Sequence, residues 1–275
     1  MRFVLSLLSF LLPLTVLAQG RERGGVAYLY EAEAPVEDGG ELALQEYEVR
    51  SGLPPLRKGS RMLTLGFRWT VYDFRGNDEA LGDFTTHSFR LPIRGALNRS
   101  NNWSWSVLVT PALRSDLDRV TTDDLGFNGL VLGSYPWRPD LKLTAGLVYG
   151  QNFGRSRFFP ALGATWLPRP GWQVDLVFPR PRVTYAASSN VLLNATLEPG
   201  GDEWNIERNG ASRDLALEEY RAGAGLEWTL AGSWVVALQG GYVFDRSLEQ
   251  RDGRRKEWER DLGDSWFARI GLLYR

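Results

Sequence analysis

The chain ends in a ribbon of period two. From Ser265 to Arg275, Trp266, Ala268, Ile270, Leu272 and Tyr274 fall on one side, and Phe267, Arg269, Gly271, Leu273 and Arg275 on the other. One face is apolar and closes on an aromatic; the other carries two arginines and a glycine. A strand of this kind fits between hydrocarbon and a polar space. The pattern recurs from Arg61 onwards. Leu63, Leu65, Phe67, Trp69 and Val71 oppose Thr64, Gly66, Arg68, Thr70 and Tyr72, and Tyr220, Ala222, Ala224, Leu226 and Trp228 oppose Arg221, Gly223, Gly225, Glu227 and Thr229.

The N-terminus limits where such strands can go. Met1-Arg2-Phe3 is followed by an almost wholly apolar stretch from Val4 to Leu17, and Val16-Leu17-Ala18 suits cleavage before Gln19. This reads as a secretory signal peptide over residues 1–18. After Gln19 no run reaches the ~20 apolar residues of a membrane helix. An exported chain of this type enters a membrane only as a closed barrel, because helices and barrels alone satisfy their backbone in lipid.

Turn lengths and aromatic placement sharpen that reading. Asn98–Asn102, Arg138–Asp140, Pro168–Gly171 and Ala231–Ser233 are short, and the connections between them are longer and more charged, above all Pro199–Asp214 and Arg246–Gly263. Short turns at one end and long loops at the other are the layout of an outer-membrane barrel. Aromatics sit at strand ends on the apolar face: Trp103, Tyr149, Trp166, Trp172, Trp228, Trp234, Phe244, Trp266 and Tyr274. Those are girdle positions at two membrane interfaces. The expectation is an all-β, antiparallel transmembrane β-barrel of about 12 strands, within 10–14, spanning residues 61–275. Residues 19–60 form either an N-terminal arm or a first hairpin, with Val26, Tyr28 and Tyr30 alternating with Ala27, Leu29 and Glu31.

Composition removes several functions. Lys+Arg 32 against Asp+Glu 33 gives a net charge of -1 with no basic run, so nucleic acid is not an expected partner. Cysteine is absent, which excludes disulfides, thiolate metal sites and a cysteine nucleophile. His87 is the one histidine, so no multi-histidine metal site exists. There is no phosphate-binding glycine loop, zinc signature or calcium loop, and no cofactor or metal is expected. Parity points His87 outwards with Phe89, Leu91 and Ile93, while its neighbour Ser88 faces the other way. A Ser/His site on one wall is therefore disfavoured, and the chain does not read as an enzyme.

These residues carry a family likeness. The leader, the alternating strands and the aromatic terminal strand resemble bacterial outer-membrane β-barrel proteins, whose last strand is read by the barrel-assembly machinery. Trp266, Ile270, Leu272 and Tyr274 match that pattern, whereas the final residue is Arg275 rather than an aromatic. More narrowly, Pro160–Trp166 and Trp172–Tyr185, with the segment Phe178-Pro-Arg-Pro-Arg182, resemble the uncharacterised domain of unknown function 6268. The resemblance implies a Gram-negative outer-membrane location, with membrane lipid, lipopolysaccharide and the assembly machinery as partners. It brings no activity and no catalytic residue.

On the inward faces Arg68, Arg90, Arg94, Lys142, Arg221 and Arg269 stand against Asp175, Glu227 and Asp245. That basic bias points to a narrow pore or passive transporter favouring anions. The alternatives are a barrel filled by Arg–carboxylate pairs whose outer loops bind a partner, and an outer-membrane enzyme. Pro179, Arg180, Pro181 and Arg182 cannot sit inside a continuous ladder. They are either a rigid turn or a constriction folded into the lumen.

Overall fold

Alternating strands of this number bury their backbone only by pairing on both edges. The computed structural model describes residues 23–37, 39–77, 82–98, 102–150, 157–208, 210–253 and 255–275. The expected signal peptide lies outside these residues, as do parts of the Asn98–Asn102 turn and of a basic loop around Gly154–Arg157. The strands are β1 (Gly24–Pro35), β2 (Glu41–Gly52), β3 (Leu56–Lys58), β4 (Arg61–Gly76), β5 (Phe84–Arg90), β6 (Ile93–Asn98), β7 (Ser104–Ser115), β8 (Leu125–Arg138) and β9 (Leu141–Gly150). They continue as β10 (Arg157–Trp166), β11 (Trp172–Val177), β12 (Arg182–Ala186), β13 (Val191–Arg208), β14 (Ala211–Thr229), β15 (Trp234–Asp252), β16 (Arg255–Leu262) and β17 (Ser265–Tyr274).

Each wall strand pairs antiparallel with its neighbours in sequence, and β1 pairs with β17 from Gly24↔Tyr274 to Glu31↔Phe267, which closes the ring. Three wall strands are each broken once. β2 and β3 both lie on β4, β5 and β6 both lie between β4 and β7, and β16 and β17 both lie on β15. The breaks coincide with Leu53-Pro-Pro55, Leu91-Pro92 and Gly263-Asp264, where proline or glycine interrupts a ladder. The seventeen segments thus form a ring of 14 strands. The fold is the expected antiparallel β-barrel, at the upper end of the expected strand range. Its wall begins at Gly24 rather than Arg61, because residues 24–52 supply the first hairpin, in register with both β17 and β4.

The terminal strand shows how the alternation is used. Trp266, Ala268, Ile270, Leu272 and Tyr274 are exposed on the outside, whereas Phe267, Gly271 and Leu273 are buried inside. Exposed apolar side chains cover the outer wall all round. At one end of this band Trp234 packs edge-on against Tyr274, Trp172 meets Tyr185 and Trp103 stacks on Trp105, with Trp166 and Trp228 beside them. At the other end Tyr149 lies between Phe127 and Phe158, Trp266 meets Tyr30, and Phe244 meets Tyr220. From Trp234 to Tyr242, which pairs with Trp266, is roughly 26 Å along the strand, the scale of a membrane barrel's apolar band.

Two stretches expected to be long loops are strand instead. Pro199–Asp214 continues the β13–β14 ladder almost without interruption, and Arg246–Gly263 continues β15 and turns back as β16. Their polar composition hid an alternation in which Asp202, Trp204 and Ile206 are buried in turn. The strands therefore rise well beyond the second girdle, and a core forms there from Leu42, Leu44, Tyr72, Phe74, Trp204, Leu215, Leu217 and Leu248.

Close strand approach makes one glycine testable. A Cβ on Gly163 would meet the Leu176 carbonyl oxygen at 1.9 Å and the Val177 Cα at 2.6 Å. The folded protein is expected to migrate differently in unheated and boiled gel samples, as closed barrels do. Gly163→Val is expected to reduce the folded band strongly, read by densitometry after refolding; an unchanged band would contradict the β10–β11 register.

Candidate functional site

Two features of the interior depart from a plain tube: a closed outer mouth and a gap in the wall.

The mouth is closed by the far half of the β13–β14 hairpin. Still paired through β14 to β15 as far as Asp214↔Arg251, this hairpin leans over to the opposite wall, where Asn205 bridges Ser115 of β7. The Asp116 carboxylate accepts the Glu207 N–H at 2.6 Å, and the Asp116 N–H donates to the Asn205 carbonyl at 3.3 Å. Trp204 is fully buried, packs edge-on against Tyr72 and Phe74, and donates its indole N–H to the Ser88 hydroxyl at 3.1 Å. Ser88 in turn donates to Asp202 at 2.8 Å. Asp202 is fully buried and holds Arg90 and Arg114, the latter at 2.9 Å.

Beside this lies a second cluster of buried charge. Arg221 contacts Glu31 and Glu219 at 2.6 Å each and also pairs with Glu46; Arg246 contacts Glu31 at 2.7 Å and Glu219 at 3.2 Å. Each of these groups is desolvated and has a partner of opposite charge within hydrogen-bonding distance. Together with the core above it, this layer fills the outer third of the barrel.

Deeper in, the interior opens. The side chains of Arg68, Arg269 and Glu198 are 41 %, 33 % and 29 % exposed, against 9 % or less across the Arg221 and Arg246 cluster. Arg68 contacts Glu48 at 3.5 Å and Arg50 contacts it at 3.2 Å; Arg269 lies 3.7 Å from Glu46 and 3.9 Å from Glu198. Towards the other end, Arg182 reaches Glu227 at 2.8 Å, Arg275 also pairs with Glu227, and Gln173 donates to Asp175 at 2.6 Å. Lys142 and Arg94 are half-buried on the same inner rows.

The expected lumen residues therefore divide. Arg90 and Arg221 belong to the buried plug, whereas Arg68, Arg94, Lys142, Asp175, Glu227 and Arg269 stand in the half-exposed part. Asp245 is a correction. It is exposed with φ of 52° at a bulge, where Asp245 and Arg246 together face one residue of β14, and the side chain that enters the interior is that of Arg246. The expected ratio of basic to acidic residues shifts as well. Glu31, Glu46 and Glu48 come from β1 and β2, whose place in the wall was open from the sequence, and Asp202 comes from a stretch read as loop. Glu31 was visible as the inward member of the Leu29/Glu31 alternation, and Glu219 as the residue two before inward Arg221 on the unbroken strand β14. His87 stacks between Trp69 and Phe89 on the outer face while Ser88 points inwards.

The gap lies between β10 and β13. The two strands that should fill it, β11 and β12, are only 6 and 5 residues long. Their turn, Phe178–Pro181, ends partway up the wall. The last bonds on either side run from the Phe178 N–H to the Leu162 carbonyl at 3.1 Å and from the Leu197 N–H to the Pro181 carbonyl at 3.1 Å. Arg180 at this turn is exposed and close enough to Arg68, on the opposite wall, for the two charges to act on each other.

The family model described as domain of unknown function (DUF6268) matches residues 86–275. The chain belongs to that family. The match takes in most of β5 and every strand from β6 onwards, including the Phe178–Pro181 turn. No curated protein matches the chain. Among solved structures it is similar to an outer membrane channel of the COG4313 group from Pseudomonas putida F1, at 10% identity over 92% of this chain and 95% of that one, TM-score 0.48. It is also similar to the KdgM porin in complex with disordered oligogalacturonate, at 9% identity over 91% and 98%, TM-score 0.42. A third is the TodX monoaromatic hydrocarbon channel, at 8% over 92% and 89%, TM-score 0.44. At these identities the likeness is one of fold.

Removing Asp202 leaves Arg90 and Arg114 buried without their carboxylate, a loss of about 3–5 kcal/mol for a buried pair. Asp202→Ala is expected to release the hairpin tip while the wall stays folded. Trypsin should then cut at Arg208 or Arg213 much faster than in the parent protein, with gel migration unchanged. Equal cleavage rates would show that Asp202 does not hold the hairpin down.

Proposed function

We propose that this protein is a passive channel of the bacterial outer membrane, closed at its outer mouth in the state seen here. The observation that carries this reading is the change of side-chain exposure along the interior. Buried charges in ion pairs fill the outer end, and half-exposed ones line the rest. A barrel serving only as a scaffold has no need of a solvated interior. The apolar outer band between two aromatic girdles supports the membrane location, and the N-terminal apolar stretch supports export.

The open part of the lumen favours anions in this reading. Arg68, Arg94, Lys142, Arg180, Arg182, Arg269 and Arg275 line it, with Glu48, Glu198, Glu227 and Asp175 as the acidic counterweight. Excess positive charge in a narrow, water-filled path lowers the barrier for anions. The exposed basic residues of β16, Arg255 and Lys256, are placed to meet lipopolysaccharide phosphate beyond the outer girdle.

The second reading, a permanently plugged barrel whose outer strands bind a partner, draws on the filled mouth. Bilayer recording separates the two. The parent protein is expected to conduct weakly, Asp202→Ala to conduct several times more, and reversal potentials in a salt gradient to show anion preference. Arg68→Glu with Arg269→Glu, added to the open variant, should move selectivity towards cations by roughly an order of magnitude. Silence in every variant would leave the plugged-barrel reading standing.

A further inference from the structure

The gap between β10 and β13 has the marks of a built opening rather than a frayed edge. Ladder bonds on β10 that face β11 fall on every second residue, as shown by the Leu162 carbonyl accepting from Phe178. The next residue turned to that side is Pro160, which has no N–H. On β13 the Leu197 N–H faces β12, and the next residue turned that way is Pro199, also without an N–H. Both edges thus carry proline at the first position past the last bond. In hydrocarbon an amide N–H without a partner is costly, and proline removes the first such donor on each edge. The floor holds two more prolines, Pro179 and Pro181.

The opening lies within the apolar band. Phe158, in the outer girdle, stands at its upper corner, and Trp166 and Trp172, in the other girdle, lie below its floor. At its base it has the width of two missing strands, about 14 Å between β10 and β13. Its outer rim is apolar: Phe158, Leu162, Phe178 and Leu197 are exposed. Its inner side carries Arg180 on the floor, Arg68 across the lumen and, on the β13 edge, Glu198, which Arg269 faces at 3.9 Å. At the top an ion pair spans it, Arg157 of β10 to Glu218 of β14 at 2.9 Å.

We infer that this opening is a lateral portal through which an amphipathic anion, with an apolar body and an acidic head, passes between the membrane's outer leaflet and the lumen. The apolar rim accepts the body from lipid, the inner arginines take the head, and the Arg157–Glu218 pair is the latch across the upper edge. With the mouth plugged, the portal is the route that joins the solvated interior to the outer side. The inference rests on the channel reading above and gives it a substrate class.

The absence of cysteine allows a direct test. Phe158→Cys with Leu197→Cys, both exposed on the rim and bridged by a bis-maleimide with a reducible spacer, closes the opening, and reduction reopens it. The probes are decanesulfonate, methanesulfonate and decyltrimethylammonium, followed by uptake into proteoliposomes. Bridging is expected to lower decanesulfonate uptake roughly tenfold, and reduction to restore it. Decyltrimethylammonium should enter far more slowly than decanesulfonate in the unbridged protein. Methanesulfonate conductance, measured with Asp202→Ala added, reports on the channel itself and should not depend on the bridge. Equal decanesulfonate uptake with and without the bridge would overturn the portal, as would uptake of the cation at the same rate. Loss of methanesulfonate conductance in both states would instead count against the channel reading.

Discussion

Backbone pairing in hydrocarbon is the constraint on which this structure rests. Each N–H and C=O of a membrane wall needs a partner within the protein, and in a sheet only a closed ring provides it. The β1–β17 ladder meets that demand with the two ends of the described chain, so the wall depends on a pairing between its first and last strands. The girdles, the inward arginines and the tall outer strands are all positioned by that closure. The wall departs from it at β11 and β12, and there the chain supplies four prolines, at Pro160, Pro179, Pro181 and Pro199.

Electrostatics divides the interior in two. The outer third is a network in which Glu31, Glu46 and Glu219 share Arg221 and Arg246, while Asp202 holds Arg90 and Arg114. Such a layer is costly to dehydrate and stable only when complete, which suits a closure that either holds or lets go. The remaining interior keeps its charges partly solvated, where they act on passing ions more than on stability.

Much of the wall was legible in the sequence, because a period of two is a local signal. Trp266 to Tyr274 show their faces without reference to any other strand, and so do Arg68, Arg221 and Glu227. What was not legible depends on partners far along the chain. Asp202 and Trp204 sit in a polar stretch that becomes strand only because Tyr72, Phe74 and Ser88 are there to receive it. Asp245 was misplaced because one extra residue at a bulge reverses parity, and alternation alone does not show a bulge. The Phe178–Pro181 segment was visible as a break, but its meaning depends on how high β10 and β13 rise beside it.

The β13–β14 hairpin has a consequence for how the molecule moves. Its lower half is wall, its upper half is the cover of the mouth, and Pro199, Gly200 and Gly201 lie between, with Gly201 at φ of 83°. The same Pro199 edges the gap in the wall, and Glu218 on the partner strand spans its top. The axial and lateral exits therefore share one lever: whatever lifts the cover pulls on the side of the gap, and whatever enters the gap pushes on the stem of the cover.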